Sequence, residues 1–269
     1  MTRDIPSPMD QVNHFEANLQ LCKPALFDLA SQIITALPER QWDVLVGDDK
    51  GGRLPTRFIR KVLASYGSEP QTSYITGGRN AREATSSEVF KARAAQIGQL
   101  GGRSLIVSES NNTHTTARFL EGLLSPYFEN VDYAVIVSRD DCSEVGDETF
   151  VGGYDKELVN AVYDTFENPL SGISATGTAY LGLRRIVGSF LPKDIKSRLL
   201  TNKGLRYDPN SSALTGLIEN PGFAYANRVE NSNFGVSNYC YARMDSLALE
   251  FMETSKTITT PANEITTSV

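Results

Sequence analysis

The segment from Leu105 to Thr116 carries the side chains best suited to hold a phosphate group. An apolar run, Leu105 to Val107, precedes the acid Glu109, and the polar stretch Asn112-Thr113-His114-Thr115-Thr116 follows. This order predicts a buried strand, a polar turn and the first turn of a helix. Because a helix N-terminus offers unpaired backbone N–H groups and the positive end of a dipole, we expect these hydroxyl groups to help bind a phosphate monoester.

Glycines and positive charges follow a second apolar run. Lys50-Gly51-Gly52-Arg53 comes shortly after the run Trp42 to Val46. The backbone of glycine can approach an anion closely, and successive N–H groups form anion-binding concavities. The amides of Gly51 and Gly52, with the charges of Lys50 and Arg53, therefore predict a diphosphate-binding loop. A turn without a ligand is the alternative, since glycine pairs often follow strands.

Arg79 and Arg82 lie in a third polar segment, Gly77 to Thr85, which follows the predicted strand Thr72 to Thr76. The segment contains almost no apolar side chains, so we predict a mobile loop. Loops of this kind can close over a bound ligand and exclude water, and the two guanidinium groups would then lie against an anion. A solvated loop that binds nothing is the alternative.

In type and in their order along the chain, the three segments resemble the ligand-binding loops of the type I phosphoribosyltransferase (PRTase) family. The segment 105–116 is similar to the family's loop for phosphoribosyl pyrophosphate, in which two adjacent acids contact the ribose hydroxyls and a glycine-containing turn cradles the 5-phosphate. Glu109 stands in the second acidic position, and Thr113 and Thr116 match hydroxyl positions. The Lys-Gly pair at 50–51 is similar to the family's pyrophosphate loop.

The resemblance covers Asp43 to Ser138, which is 96 of the 269 residues. It implies an enzyme in which a nitrogen of a base displaces pyrophosphate at the anomeric carbon, with Mg²⁺ accompanying phosphoribosyl pyrophosphate. Glu109 would bind the ribose, and the second part of the chain would supply the acceptor pocket. Four cationic residues would stabilise the leaving group: Lys50, Arg53, Arg79 and Arg82.

Three positions depart from the family's pattern. Ser108 replaces the first acid, and His114 and Thr115 replace glycines. These departures support a second hypothesis, a catalytically inactive protein of the same fold that senses the ligand. A third hypothesis is a different doubly wound protein that binds another phosphate or none, because a fold does not determine a function.

The elements that would position these loops alternate between strands and helices. Parallel neighbouring strands require helical crossovers, so we predict an α/β fold with a mostly parallel sheet and helices on both faces. Such sheets bind ligands beyond the C-terminal ends of their strands, which is where the polar loops begin. The predicted strands are 42–46, 72–76, 104–107 and 133–137, and the predicted helices are 24–37, 54–63, 85–97 and 119–124.

Four regions are predicted along the chain. An N-terminal segment, 1–22, precedes the PRTase-like core, 23–140. An accessory region, 141–253, follows; its pattern is mainly helical from Lys156 to about Leu200, irregular from Asn202 to Asn233, and helical again from Tyr239 to Met252. The Thr-rich tail, 254–269, is predicted to be disordered.

Composition removes several classes of function. A net charge of -6 argues against direct nucleic-acid binding, and a small phosphorylated ligand remains the expected partner. No apolar run approaches the roughly 20 residues of a membrane helix, and no secretory signal begins the sequence. We therefore expect a cytoplasmic protein that does not bind a membrane. Three widely spaced cysteines predict buried thiols, and two histidines exclude a multi-histidine metal site. The sequence leaves open whether the chain forms a homodimer.

Overall fold

The structure, a computed structural model, describes residues 8–48, 52–75, 87–111, 114–139, 145–155, 205–207, 214–217 and 239–255. Five strands form one sheet in the order β2-β1-β3-β4-β5, and every neighbouring pair is parallel. The predicted α/β fold class is therefore confirmed. The strands are β1 (Val44–Asp48), β2 (Gln71–Ile75), β3 (Arg103–Asn111), β4 (Asn130–Ser138) and β5 (Thr149–Tyr154).

Helices cover both faces of this sheet. Successive residues of a strand point to opposite faces, so Leu105 and Val107 enter one core while Ile106 enters the other. The first core contains side chains of α1, α2 and α5, and the second contains side chains of α3 and α4. The helices are α1 (Pro8–Ala36), α2 (Arg53–Ser65), α3 (Ser87–Gly98), α4 (Thr115–Leu124) and α5 (239–255).

The first helix is longer than predicted. It begins at Pro8, and Pro24, which we placed in a first turn, lies inside it. Proline removes one backbone hydrogen bond of the helix, but Phe15, Leu19 and Cys22 continue its apolar stripe and are fully buried. Burial of this stripe against the rest of the core offsets the lost hydrogen bond, which is why the helix continues through the proline.

The third strand is also longer than predicted. Residues 108–111 were expected to form a loop, yet Ser108, Ser110 and Asn111 pair with Val135, Val137 and Ser138 of β4. Pairing with a long, buried neighbour therefore overrides the polar character of these residues. As a result Glu109 lies within a strand, which limits the directions in which its side chain can point.

A fifth strand was not predicted, because its two glycines weaken the strand signal. Gly152 of β5 lies so close to α1 that an added Cβ atom would fall on the carbonyl oxygen of Ala25. The glycine thus lets β5 pair with β4 beneath α1. The domain boundary near residue 140 stays a prediction, although β5 extends the sheet beyond it.

The closing helix α5 returns to the sheet-bearing part of the chain. Arg57 of α2 donates two hydrogen bonds to Asp245, from Nε (2.8 Å) and from Nη2 (2.7 Å). The rings of Phe27 in α1, Phe58 in α2 and Phe251 in α5 contact one another, with centroids 5.3 to 6.4 Å apart. The predicted helix over Tyr239 to Met252 is confirmed, and it completes the core above α1 and α2.

Other parts of the accessory region are described only in short pieces. Leu205–Tyr207 and Leu214–Leu217 form an antiparallel pair, β6 and β7, within a stretch that we predicted to be irregular. The segment 156–200, which we predicted to be mainly helical, and the tail from residue 256 onward lie outside the described residues. Among the helices that are described, none has the length and apolar character needed to cross a membrane.

A buried carboxylate anchors the sheet at the edge where its strands begin. Asp132 of β4 is fully buried and accepts hydrogen bonds from Nη1 of Arg40 (3.0 Å) and from Nε1 of Trp42 (2.8 Å). Arg40 also pairs with the more exposed Glu148 at 2.5 Å. These contacts attach the segment that connects α1 with β1 to strand β4. In the sheet, β4 lies two positions away from β1.

Candidate functional site

The C-terminal ends of β1 and β3 lie side by side. The two strands pair in register from Val44 with Ser104 to Gly47 with Val107. The chain leaves β1 toward β2 on one side, whereas β3 lies on the other side, so the strand order reverses here. In open parallel sheets, ligands bind at such reversal points. Since α2 and α4 begin soon after β1 and β3, two helix N-termini face this edge.

Gly52 brings the start of α2 into contact with both strands. Its N–H group donates a hydrogen bond to the carbonyl oxygen of Asp48 (2.5 Å). A Cβ atom at this position would fall on the carbonyl oxygen of Val107 and the amide nitrogen of Asp48. Its φ of -87° and ψ of -12° suit any residue, so glycine is required here for space and not for its conformational freedom.

His114 opens α4 in a left-handed conformation. With φ 55° it is the only non-glycine residue of positive φ in the part of the chain that the structure describes. Its carbonyl oxygen accepts the hydrogen bond of Arg118 N–H (2.9 Å), which starts the helix. The turn therefore keeps the backbone that glycine favours, although histidine occupies it. Residues held in this conformation concentrate at ligand-binding sites.

Replacing His114 with glycine should stabilise the protein by about 1 kcal/mol, because the left-handed backbone strains an L side chain. We expect the free energy of unfolding, measured by urea denaturation, to rise. The turn itself should be unchanged, so the start of α4 should stay in place. A loss of stability would show instead that the imidazole makes a net favourable contact.

Glu109 is partly buried, and one of its two carboxyl oxygens is shielded from solvent. Its side chain follows Leu105 and Val107 onto the face that α1 covers. Its Oε2 atom is buried and has no hydrogen-bond partner among the described residues. Burial, and secondly the negative charge of Asp48, raise the pKa of Glu109 well above its ordinary value.

Cys22 of α1 lies close to this carboxyl group. Burial raises the pKa of the Cys22 thiol, and the charges of Glu109 and Asp155 raise it further. The thiol is therefore protonated and unreactive, as expected of a structural cysteine. Cys22 and Cys240 are buried thiols outside any disulfide, which agrees with the prediction, while Cys142 lies outside the described residues.

Arg53 is placed away from Glu109. It is fully buried on the first turn of α2, and its guanidinium carbon lies 4.5 Å from the ring centroid of Tyr74 in β2. The same ring covers Gly47, where a Cβ atom would come within 2.6 Å of it. Since β1 separates β2 from β3, Arg53 and Glu109 lie on opposite sides of the central strand. Arg53 thus holds α2 against β2.

The structure describes half of the predicted site residues. Gly52, Glu109 and the start of α4 meet at the edge formed by β1 and β3. Thr115 is exposed and Thr116 is partly buried on the first turn of α4. The predicted residues that lie outside the described part are Lys50, Gly51, Arg79, Arg82, Asn112 and Thr113.

No protein family, curated protein or solved structure matches this chain. The strand order is shared by Rossmann-like folds, among which the PRTase fold is one, and it establishes the fold class alone.

Sequence reasoning missed three residues that shape this site. Asp48 at the end of β1 raises the pKa of Glu109 through its negative charge. Cys22 of α1 lies close to Glu109, and the ring of Tyr74 packs against the guanidinium group of Arg53. Asp48 had a local signal, because an acid directly after a buried strand is unusual unless it faces the edge. Cys22 and Tyr74 had none, since their roles depend on how distant segments pack.

A cavity of about 770 Å³ lies at the opposite edge of the sheet. Its lining includes Leu37 and Trp42 near the end of α1, and Tyr66 beyond the end of α2. It has no glycine-rich turn or helix N-terminus directed into it from the described elements. We therefore assign the candidate site to the edge where β1 and β3 end.

Proposed function

We propose that the chain binds phosphoribosyl pyrophosphate or a phosphoribosyl nucleotide at the C-terminal edge of β1 and β3. The observation that carries this proposal is the pair of helix N-termini at adjacent strand ends, with Gly52 in contact with both strands. Each N-terminus favours an anion through its unpaired N–H groups and its dipole. A ligand with a 5-phosphate and a second phosphate group or base suits two such positions.

The residues divide between the two ends of this ligand. The first turn of α4, with Thr115 and Thr116, would hold the 5-phosphate, and Glu109 would face the ribose. The predicted diphosphate-binding segment, Lys50 to Arg53, would hold the pyrophosphate of phosphoribosyl pyrophosphate. In a transfer reaction, the base nitrogen forms a bond to the anomeric carbon as the bond to pyrophosphate breaks, and the protein contributes positioning and charge neutralisation.

Magnesium would accompany the diphosphate of this ligand. Among the described residues, no group of three or more His, Cys, Asp and Glu side chains is arranged to hold a metal ion by itself. Mg²⁺ commonly binds through substrate phosphates and water with few protein ligands, so the residues present fit a metal carried by the ligand. The bound ion would neutralise charge on the leaving pyrophosphate.

A second candidate function is ligand sensing without turnover. Ser108, in the place of the first acid of the resemblance, is only 5% exposed and pairs within the sheet with Val135. A buried hydroxyl at this position cannot replace a carboxylate that contacts ribose. This observation favours binding without catalysis, and release of pyrophosphate in the presence of candidate bases distinguishes the two functions.

Calorimetric titration of the purified full chain tests the binding proposal. Phosphoribosyl pyrophosphate with and without Mg²⁺, ribose 5-phosphate and nucleoside monophosphates are the ligands to compare. We expect dissociation constants on the order of 1 μM, about -8 kcal/mol, for at least one of them. Absence of heat with all of them would contradict the proposal and leave the α/β fold unaffected.

Replacing Thr116 with alanine should weaken binding of the same ligand about fivefold to tenfold, because one hydroxyl donor to the phosphate is lost. Ser125, an exposed hydroxyl residue at the other end of α4, provides the matched control. Ser125→Ala should bind as tightly as the unmodified protein. Equal affinities of both variants would remove the first turn of α4 from the ligand site.

A further inference from the structure

Glu109 has an unused hydrogen-bonding atom in a buried position. Its Oε2 atom is shielded from solvent and has no partner among the described residues. Buried polar atoms nearly always have a partner, so an isolated one needs an explanation. Because Glu109 lies near the end of β3, at the edge where α2 and α4 begin, a bound ligand is a partner that the position can receive.

Among the described residues, the charges that act on Glu109 and on the neighbouring Cys22 thiol are those of acidic groups. Asp48 approaches from the end of β1, Cys22 from α1, and Asp155 lies beside the same thiol just after β5. The charged residue on the first turn of α2, Arg53, stacks on Tyr74 beyond β1. Burial and the charge of Asp48 raise the pKa of Glu109, so its carboxyl group is neutral over a wider pH range than that of an ordinary glutamate.

A neutral carboxyl group has a property that an ionised one lacks. It carries an O–H donor, whereas a carboxylate can only accept hydrogen bonds. It also avoids adding a negative charge beside Asp48, which an anionic phosphate ligand would otherwise have to approach. The enclosed position of Oε2 thus favours a ligand with an acceptor oxygen over one that offers only hydroxyl or amino donors.

We propose that Glu109 binds the phosphorylated sugar as a neutral hydrogen-bond donor to one of its acceptor oxygens, so that binding requires the proton on Glu109. This inference rests on the proposed function and adds a requirement that an ionised acid would not impose. Affinity should be greatest where Glu109 is protonated and should fall as the pH rises through its raised pKa. The direction is opposite to that expected if an ionised carboxylate accepted hydrogen bonds from the ribose.

Titration with ribose 5-phosphate between about pH 5.5 and about pH 8.5 tests this proposal. The full chain, Glu109→Gln and the control Glu129→Gln, which alters an exposed acid before β4, are compared. At pH values where Glu109 has lost its proton, we expect the unmodified protein and Glu129→Gln to bind about tenfold more weakly than Glu109→Gln, as one donor is lost. The amide in Glu109→Gln donates at every pH, so that variant should bind more tightly than the unmodified protein at the upper end. Ionisation of the ligand phosphate affects all three proteins equally.

Two results would overturn the proposal. One is a ratio of the affinities of the unmodified protein and Glu109→Gln that stays constant while Glu109 loses its proton. The other comes from infrared difference spectra of the ligand-free proteins, in which a protonated Glu109 gives a carboxylic C=O band that Glu109→Gln lacks. An ionised Glu109 at neutral pH rules out the donor role even when no ligand is added. Failure of all three proteins to bind at any pH would instead contradict the proposed function.

Discussion

Replacing Gly52 with alanine should destabilise the protein by about 3 kcal/mol and abolish ligand binding. The added Cβ atom would fall on the backbone of Asp48 and Val107, which belong to paired central strands and cannot move aside independently. The start of α2 must then shift away from the ends of β1 and β3. Because the proposed site is formed by that contact, affinity and stability should be lost together.

Gly122→Ala is the matched control for this substitution. Gly122 lies in α4, is exposed, and has no atom within 4 Å of an added Cβ. Alanine is a better helix former than glycine, so this variant should gain about 1 kcal/mol. Urea denaturation and calorimetric titration of the two variants provide the comparison. A Gly52→Ala protein with full stability and affinity would show that α2 does not depend on this contact.

Replacing Asp132 with alanine should cost about 3 to 5 kcal/mol, the usual effect of removing one partner of a buried ion pair. The change leaves the Nε1–H group of Trp42 buried without an acceptor and removes one partner of Arg40. Both effects act at the edge of the sheet opposite the proposed site. The loss should therefore be visible in the free energy of unfolding, while folded protein keeps its affinity for the ligand.

Glu148→Ala removes the other partner of Arg40 and serves as the control for Asp132. The Glu148 side chain is 41% exposed, and partly exposed ion pairs contribute less than about 1 kcal/mol. A small change for Glu148→Ala beside a large one for Asp132→Ala would locate the stabilising interaction in the buried carboxylate. Similar, small changes in both variants would contradict the role given to Asp132.

The fold class could be predicted because local patterns carry it. Apolar runs separated by amphipathic helices indicated four of the five strands and the parallel arrangement that helical crossovers impose. The strand Thr149–Tyr154 was not predicted, because its glycines allow close packing against α1. A local sequence pattern does not indicate a contact with a residue more than 100 positions away. The length of α1 escaped for a similar reason, as burial of Phe15 and Leu19 depends on tertiary packing.

The candidate site was predictable where backbone geometry decides it. A glycine after β1 and a polar turn before α4 indicated the two helix starts, and the structure places both at adjacent strand ends. The electrostatic properties were not predictable. Whether Glu109 is ionised depends on enclosure by α1 and on Asp48 from another strand, which sequence spacing does not reveal.

The position of α5 has a consequence for synthesis of the chain on the ribosome. The rings of Phe27 and Phe58 pack against the ring of Phe251, and Phe251 is translated more than 80 residues after β5. At about 5 to 20 residues per second, the nascent sheet and its first helices wait roughly 5 to 19 seconds for this partner. During that time the rings of Phe27 and Phe58 lack this partner, so we expect the nascent chain to bind chaperones more strongly than the finished protein does.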